Sequence, residues 1–199
     1  MINFEIDTSS FPLVEASFDR IATELMNHCQ LTLNDRGYRF LDLEFYYHCP
    51  LHPDTFSNKH QEVAGKLRAH DYGVDISLGA DNECFGGVLL KGLIRSDSKV
   101  FSKPQILKEL FNCLHVGTNI IELKQITDSN EIRYFKTIRE FTGTPGTEDR
   151  KSFSTKKYRY IANSKEYFKS VKRKEYTIKH SNLSLEEQRA LLGYSLRLE

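Results

Sequence analysis

The run Arg39-Phe-Leu-Asp-Leu-Glu-Phe-Tyr46 places two carboxylates, Asp42 and Glu44, two positions apart among β-forming residues. Successive side chains on a strand point to opposite faces, so Phe40, Asp42, Glu44 and Tyr46 share one face and Leu41, Leu43 and Phe45 the other. Two strand rises put the Cβ atoms of the acids about 7 Å apart. Where water is excluded, one charge disfavours the other, and one carboxyl becomes a general base tuned towards neutral pH. The plain alternative is a solvent-facing strand with two ordinary carboxylates.

A second group, His48, Cys49, His52, Asp54, His60 and His70, holds metal-ligating residue types within 23 positions. Pro50 and Pro53 prevent His48 and His52 from sharing a helix face, and no H-E-x-x-H occurs. Surface-loop histidines are the expectation, with no metal and no cofactor. There is no phosphate loop, no G-x-G-x-x-G after a strand and no G-x-S-x-G elbow, so nucleotide and serine hydrolysis have no motif support.

The third feature is electrostatic. Between Arg150 and Lys179, eleven Lys or Arg stand against two Glu, interleaved with Phe153, Tyr158, Tyr160, Tyr167, Phe168 and Tyr176. Cations displace counterions from phosphates and aromatic faces stack on bases, which suits a polyanion surface. A solvated basic face over core aromatics is the other reading.

The elements that must hold these residues are legible in outline. Val14, Phe18, Ile21, Leu25 and Cys29 recur every three or four positions, so 13–28 reads as an amphipathic helix starting just after Pro12. Gln30–Leu33 and Tyr38–Tyr47 read as a hairpin across Asn-Asp-Arg-Gly, with Gly37 in the left-handed position. Gly73–Leu78 and Gly86–Ile94 form a second hairpin, with Gly86-Gly87 allowing a bulge or a close backbone approach. Ser102, Pro104 and the apolar positions Ile106, Leu107, Leu110 and Leu114 mark a helix stopped by Gly117. Residues 119–141 fit either strands or a short helix, Gly143-Thr-Pro-Gly146 a turn, and Lys157–Ile161 a late strand. Ser184 and Glu187 form a capping box ahead of Leu185, Leu191, Leu192 and Leu196.

With 199 residues, 39% hydrophobic and 28% charged, the composition is globular, and no linker divides it. One α+β domain over 1–199 is expected, a curved, mainly antiparallel β-sheet flanked by helices. No apolar run reaches the roughly 20 residues of a membrane span, no signal peptide is visible, and the four cysteines form no C-x-x-C pair. The expectation is a cytoplasmic monomer with free thiols and no membrane partner.

The strand Arg39–Tyr46 resembles that of the methylpurine (alkyladenine) DNA glycosylase family, which reads approximately R-I-V-E-T-E-A-Y beside the damaged-base pocket. Phe18-Asp-Arg-Ile-Ala-Thr-Glu-Leu-Met26 is similar to the family's helix before its first strand. Gly86-Gly-Val-Leu-Leu-Lys91 is similar to its V-L-L-R strand, and Lys157-Tyr-Arg-Tyr-Ile161 to its closing P-L-R-F-Y strand. The resemblance is scattered over roughly residues 15–170. It implies that Glu44 activates water, Asp42 and Lys91 support it, and Tyr46 stacks on an extruded base. Asp75 stands where the family has an asparagine beside the flipped nucleotide. Tyr72 or His70 is the candidate for the DNA-intercalating residue, and His52 or His60 for the histidine after the catalytic strand. The family's arginine before a Val-Gly turn has no counterpart at Thr144-Pro-Gly146.

The implied activity is monofunctional hydrolysis of the N-glycosidic bond of an alkylated or deaminated purine flipped out of double-stranded DNA, with Lys156, Lys157 and Arg159 on the phosphates. Two other readings are a relative that binds nucleic acid or a modified nucleoside without excision, and an unrelated metal-dependent hydrolase or structural domain.

Overall fold

The computed structural model describes residues 2–127, 131–140 and 148–193. It begins with helix α1 (Phe11–His28) and strands β1 (Cys29–Leu33), β2 (Arg36–Cys49) and β3 (His52–Pro53). Strands β4 (Leu67–His70), β5 (Gly73–Ala80), β6 (Phe85–Arg95) and β7 (Val100–Ser102) follow, then helix α2 (Lys103–Cys113). The remainder is β8 (Ile121–Gln125), β9 (Tyr134–Thr137), α3 (Glu148–Ser154), β10 (Arg159–Ala162), α4 (Lys165–Phe168), α5 (Lys174–Lys179) and α6 (Leu185–Leu192).

These strands make one antiparallel sheet in the order β4-β5-β6-β2-β1-β8, with β10 joining β2, β9 joining β10, β7 joining β6 and β3 closing a hairpin on β2. The sheet curls: residues from its two ends, Leu67 on β4 and Leu123 on β8, line one cavity of about 700 Å³ together with Ile2 and Phe4. Strand β2 is long because no proline and no turn signal interrupts Arg36–Cys49. Its Phe45 and Tyr47 face helix α1, whose Val14, Phe18, Ile21 and Leu25 are all fully buried. Phe18 is the centre of that contact, 5.1 Å from the rings of Phe45 and Tyr158, and its truncation to Ala would cost about 3–5 kcal/mol.

The helix at 13–28, both hairpins, the helix after Ser102, the strand at 157–161 and the capping box at Ser184 all appear, within a few residues of their expected bounds. One expectation changes and two open readings are resolved. The left-handed residue of the first hairpin is Asn34, φ 55°, and not Gly37. The Asn34 side chain makes that conformation worthwhile by accepting the Ile120 N–H (2.8 Å) and donating to the Cys113 carbonyl (2.7 Å). The acidic face of β2 is not solvated, because Asp42 and Glu44 are 0% and 1% exposed. Within 119–140 the described residues form strands β8 and β9 and no helix. The expected turn at 143–146 and Leu196 lie outside the described residues.

The C-terminal basic segment folds into short helices around β10, and Phe153, Tyr158, Tyr160, Tyr167 and Phe168 are core residues. Only Tyr176, 44% exposed, keeps an open ring among those six aromatics. The chain is a single α+β domain with a curled antiparallel sheet, and among the described residues no helix is long and apolar enough to cross a membrane.

Candidate active site

Strand β2 lies between β6 and β10 where it carries Asp42 and Glu44, and each neighbour delivers one cation. Glu44 sits directly opposite Leu89 on β6 and Arg159 on β10. The β2–β6 register slips on either side of Asp42, so Lys91 falls between the paired residues Leu90 and Gly92. That irregularity lets Lys91 reach Glu44, Nζ to Oε1 3.3 Å, and Glu140, Nζ to Oε2 3.0 Å. Arg159 grips Asp42 with two hydrogen bonds, Nε to Oδ1 2.9 Å and Nη2 to Oδ2 2.6 Å, and its Nε stands 3.7 Å from Glu44 Oε1. The Tyr167 hydroxyl donates to Asp42 Oδ2 (2.7 Å). Tyr167 fits there because Gly92 has no side chain: a methyl group at that position would overlap the Tyr167 ring.

Glu44 is the centre of the group. Its Oε1 accepts the backbone N–H of Glu140 (2.9 Å) and its Oε2 accepts the Tyr46 hydroxyl (2.9 Å). Burial alone would raise the Glu44 carboxyl. Lys91 and Arg159, followed by those two hydrogen bonds, outweigh it and hold Glu44 at about 2. Lys91 responds in kind: burial would lower it, but Glu44 and the other carboxylates raise it, so the pair is ionised. The expected carboxylate tuned towards neutral pH by its acidic neighbour is therefore replaced by one held anionic between cations.

The Tyr46 hydroxyl is pushed well upward, first by burial and then by the Glu44 charge. One face of its ring is covered by the Arg139 guanidinium at 4.5 Å, so a stacked base would use the opposite face. Arg139 and Asp54 form a pair with no exposed surface, and Arg139 also donates to the carbonyls of Phe45 (3.0 Å) and Phe153 (3.2 Å).

The structure brings together Glu44, Asp42, Lys91 and Tyr46, and adds Arg159 to them. Arg159 is 3% exposed and committed to Asp42, so it is not on the surface that phosphates would touch. Lys156 is partly exposed but pairs with Glu15 and lies over the Phe11 ring, and Lys157 donates to the Ser181 carbonyl. Asp75 shares the Glu44 face through Leu89, which pairs with both, but is bound by Arg68 (2.8 Å) and touched by His70 (2.9 Å), not by Lys91. Tyr72, 64% exposed, caps the β4–β5 hairpin.

His52 belongs to the core. Its Nδ1 meets the Tyr47 carbonyl (2.7 Å), its Nε2 the Tyr158 hydroxyl (2.8 Å), and Phe11, Phe18 and Phe153 pack around it. Burial lowers its pKa. It is neither a surface-loop histidine nor placed to meet a substrate. His60 accepts the Glu62 N–H at Nδ1, so Nε2 is the protonated nitrogen and donates to the Gly86 carbonyl (2.8 Å). Among the described residues no three His, Cys, Asp or Glu side chains are grouped to hold a metal ion.

Sequence reasoning missed Glu140 and Arg139, and it gave Asp54 and Tyr167 other roles, a metal-ligand type and a base-stacking aromatic, where the structure has Asp54 paired with Arg139 and Tyr167 bound to Asp42. Glu140 follows a strand separated from Glu44 by 96 positions, and no local motif announces it. No family model, no curated protein and no solved structure matches the chain, so the arrangement around Glu44 is the observation from which function must be argued.

Proposed function

We propose that the protein is a DNA glycosylase of the methylpurine type that hydrolyses the N-glycosidic bond of an alkylated or deaminated purine. The observation that carries this reading is the ionised Glu44 carboxylate, buried on a central strand with the Tyr46 phenol bound to it. The curled sheet with flanking helices is compatible with the methylpurine-glycosylase fold that the sequence resemblance implies. Base removal proceeds through a sugar with cationic character, and a fixed anion in a site shielded from water stabilises that charge without reorganising. Glu44 held at about 2 is a weak base. Its work is electrostatic first; it orients the attacking water through Oε2 and takes the proton late, when bonding to the sugar has made the water acidic.

Arg159, Asp42 and Tyr167 fix the strand from one side, and Lys91 with Glu140 fixes Glu44 from the other. Tyr46, half-buried and opposite Gly87 on β6, would offer the aromatic face to an extruded base. Tyr72 is exposed for insertion into the duplex, and the partly exposed Lys156 and the exposed Lys157 are the cations that would meet phosphates. One observation favours a binding relative without excision: Oε1 of Glu44 already faces Lys91, Arg159 and the Glu140 N–H, as in a closed structural cluster. Duplexes carrying one hypoxanthine, ethenoadenine or methylated purine separate the two. Release of free base supports the glycosylase; binding to all of them with no base released sinks it in favour of the binding relative.

A further inference from the structure

We propose that strand β8 is a homodimer interface, pairing antiparallel with β8 of a second copy of this chain; the inference is independent of the glycosylase reading. Strand β8 ends the path β4-β5-β6-β2-β1-β8, so one of its edges meets β1 and the other meets no strand among the described residues. The ladder to β1 continues one residue beyond each end of β8. The Asn34 N–H donates to the Ile120 carbonyl (2.7 Å), and the Ile126 N–H to the His28 carbonyl (2.8 Å). Ile120 and Ile126 therefore aim backbone groups at β1, and by the alternation of an antiparallel ladder Glu122 and Lys124 do the same. The N–H and C=O groups of Ile121 and Leu123 point the other way, off the edge of the sheet.

Such an edge templates another strand unless its side chains forbid it. A two-fold axis normal to the sheet keeps every side chain on its own face. With that axis at Leu123, Leu123 meets its copy, Glu122 meets Lys124, and Ile120 meets Ile126. Leu123 and its copy exchange both backbone bonds, while Glu122 and Lys124 fall at the closer, non-hydrogen-bonded positions, with Cα atoms about 4.5 Å apart. Within one chain Lys124 Nζ already lies 2.9 Å from Glu122 Oε1, so two copies close a ring of four alternating charges. Moving the axis to Glu122 or to Lys124 sets like charges face to face, and so does parallel pairing in register. The charges thus select one register instead of blocking the edge.

The apolar residues beside the strand gain cover from the same contact. Ile120 and Ile121 are 54% and 48% exposed, and Val116, in the segment leading to β8, is fully exposed. Two other edges lack this match. On β4, Arg68 and His70 are both basic side chains and are held by Asp75. On β9, Asn182 covers Lys136, accepting its N–H at Oδ1 (2.8 Å) and donating its own N–H to the Lys136 carbonyl (3.0 Å). The formal net charge of +1 leaves little repulsion between copies. One strand from each copy is a small interface, so the dimer is a weak one, with a dissociation constant on the order of 10–100 μM.

Sedimentation equilibrium of the full chain between about 1 and 500 μM tests this, with Glu122→Lys and Lys124→Glu as the variants. Both side chains are about half exposed, so neither substitution should change the melting temperature. Lys124→Glu sets glutamates against glutamates, and Glu122→Lys sets lysines against lysines. Each variant alone should therefore dimerise at least about tenfold more weakly than the natural sequence. An equimolar mixture of the two variants restores the match and should associate as the natural sequence does. A natural chain that stays monomeric across the whole range overturns the proposal. A dimer that survives unchanged in both variants, or a mixture that does not recover association, overturns it as well.

Discussion

Lowering the pH from about 6 to about 2 protonates the carboxyl that Lys91 and Arg159 hold anionic, and the cost can be read from Glu44 directly. The group has an ordinary value of 4.5 and is held at about 2 in the folded chain. Its folded value is depressed, so the stability it confers is fully present above 4.5 and is lost as pH falls through about 2. Holding a carboxyl that far down is worth about 3 kcal/mol, lost at up to about 1.4 kcal/mol per pH unit. Urea unfolding of the natural sequence and of Glu44→Gln across this range measures it. The amide of the variant does not titrate, so its acid limb should be flatter by about 3 kcal/mol over the whole window. Comparing the two pH dependences, not the absolute stabilities, removes the cost of the substitution itself. Parallel acid limbs would refute the assignment of Glu44 as a paired, ionised group.

Other consequences follow from the same packing. Arg139→Met leaves the Asp54 charge buried without its partner and should destabilise by about 3–5 kcal/mol, read as a drop in melting temperature. Gly92→Ala forces the Tyr167 ring away from Asp42; a loss of about 1–3 kcal/mol in urea unfolding is expected, and an unchanged midpoint would contradict the close approach. Tyr72→Ala should leave the melting temperature unchanged, because the ring is exposed, while weakening binding to lesion-containing duplex by about 1–3 kcal/mol in fluorescence anisotropy.

What was legible beforehand was local. The period of two on Arg39–Tyr46 correctly puts Glu44 and Tyr46 side by side, and the structure joins them by a hydrogen bond. The partners were not legible, because they come from strand register. Asp42 and Arg159 are 117 positions apart, and Arg139 and Asp54 are 85 apart. Arg159 looked like one phosphate ligand in a basic run, since composition does not say which member of that run alternates inward on β10. His52 looked like a loop residue beside Pro50 and Pro53, but the β2–β3 hairpin folds it back against α1. The solvated or buried character of the acidic face was open for the same reason: it depends on what covers the sheet, here Tyr167 of α4 and the chain after β9.

Single-turnover release of a methylated purine from duplex DNA, by the natural sequence and by Glu44→Gln at matched DNA occupancy, tests the central claim most directly. The glycosylase account requires base release by the natural sequence and its loss in the variant, with DNA binding retained. Equal rates from the two proteins would contradict it, because the anion on which the chemistry depends would then be dispensable.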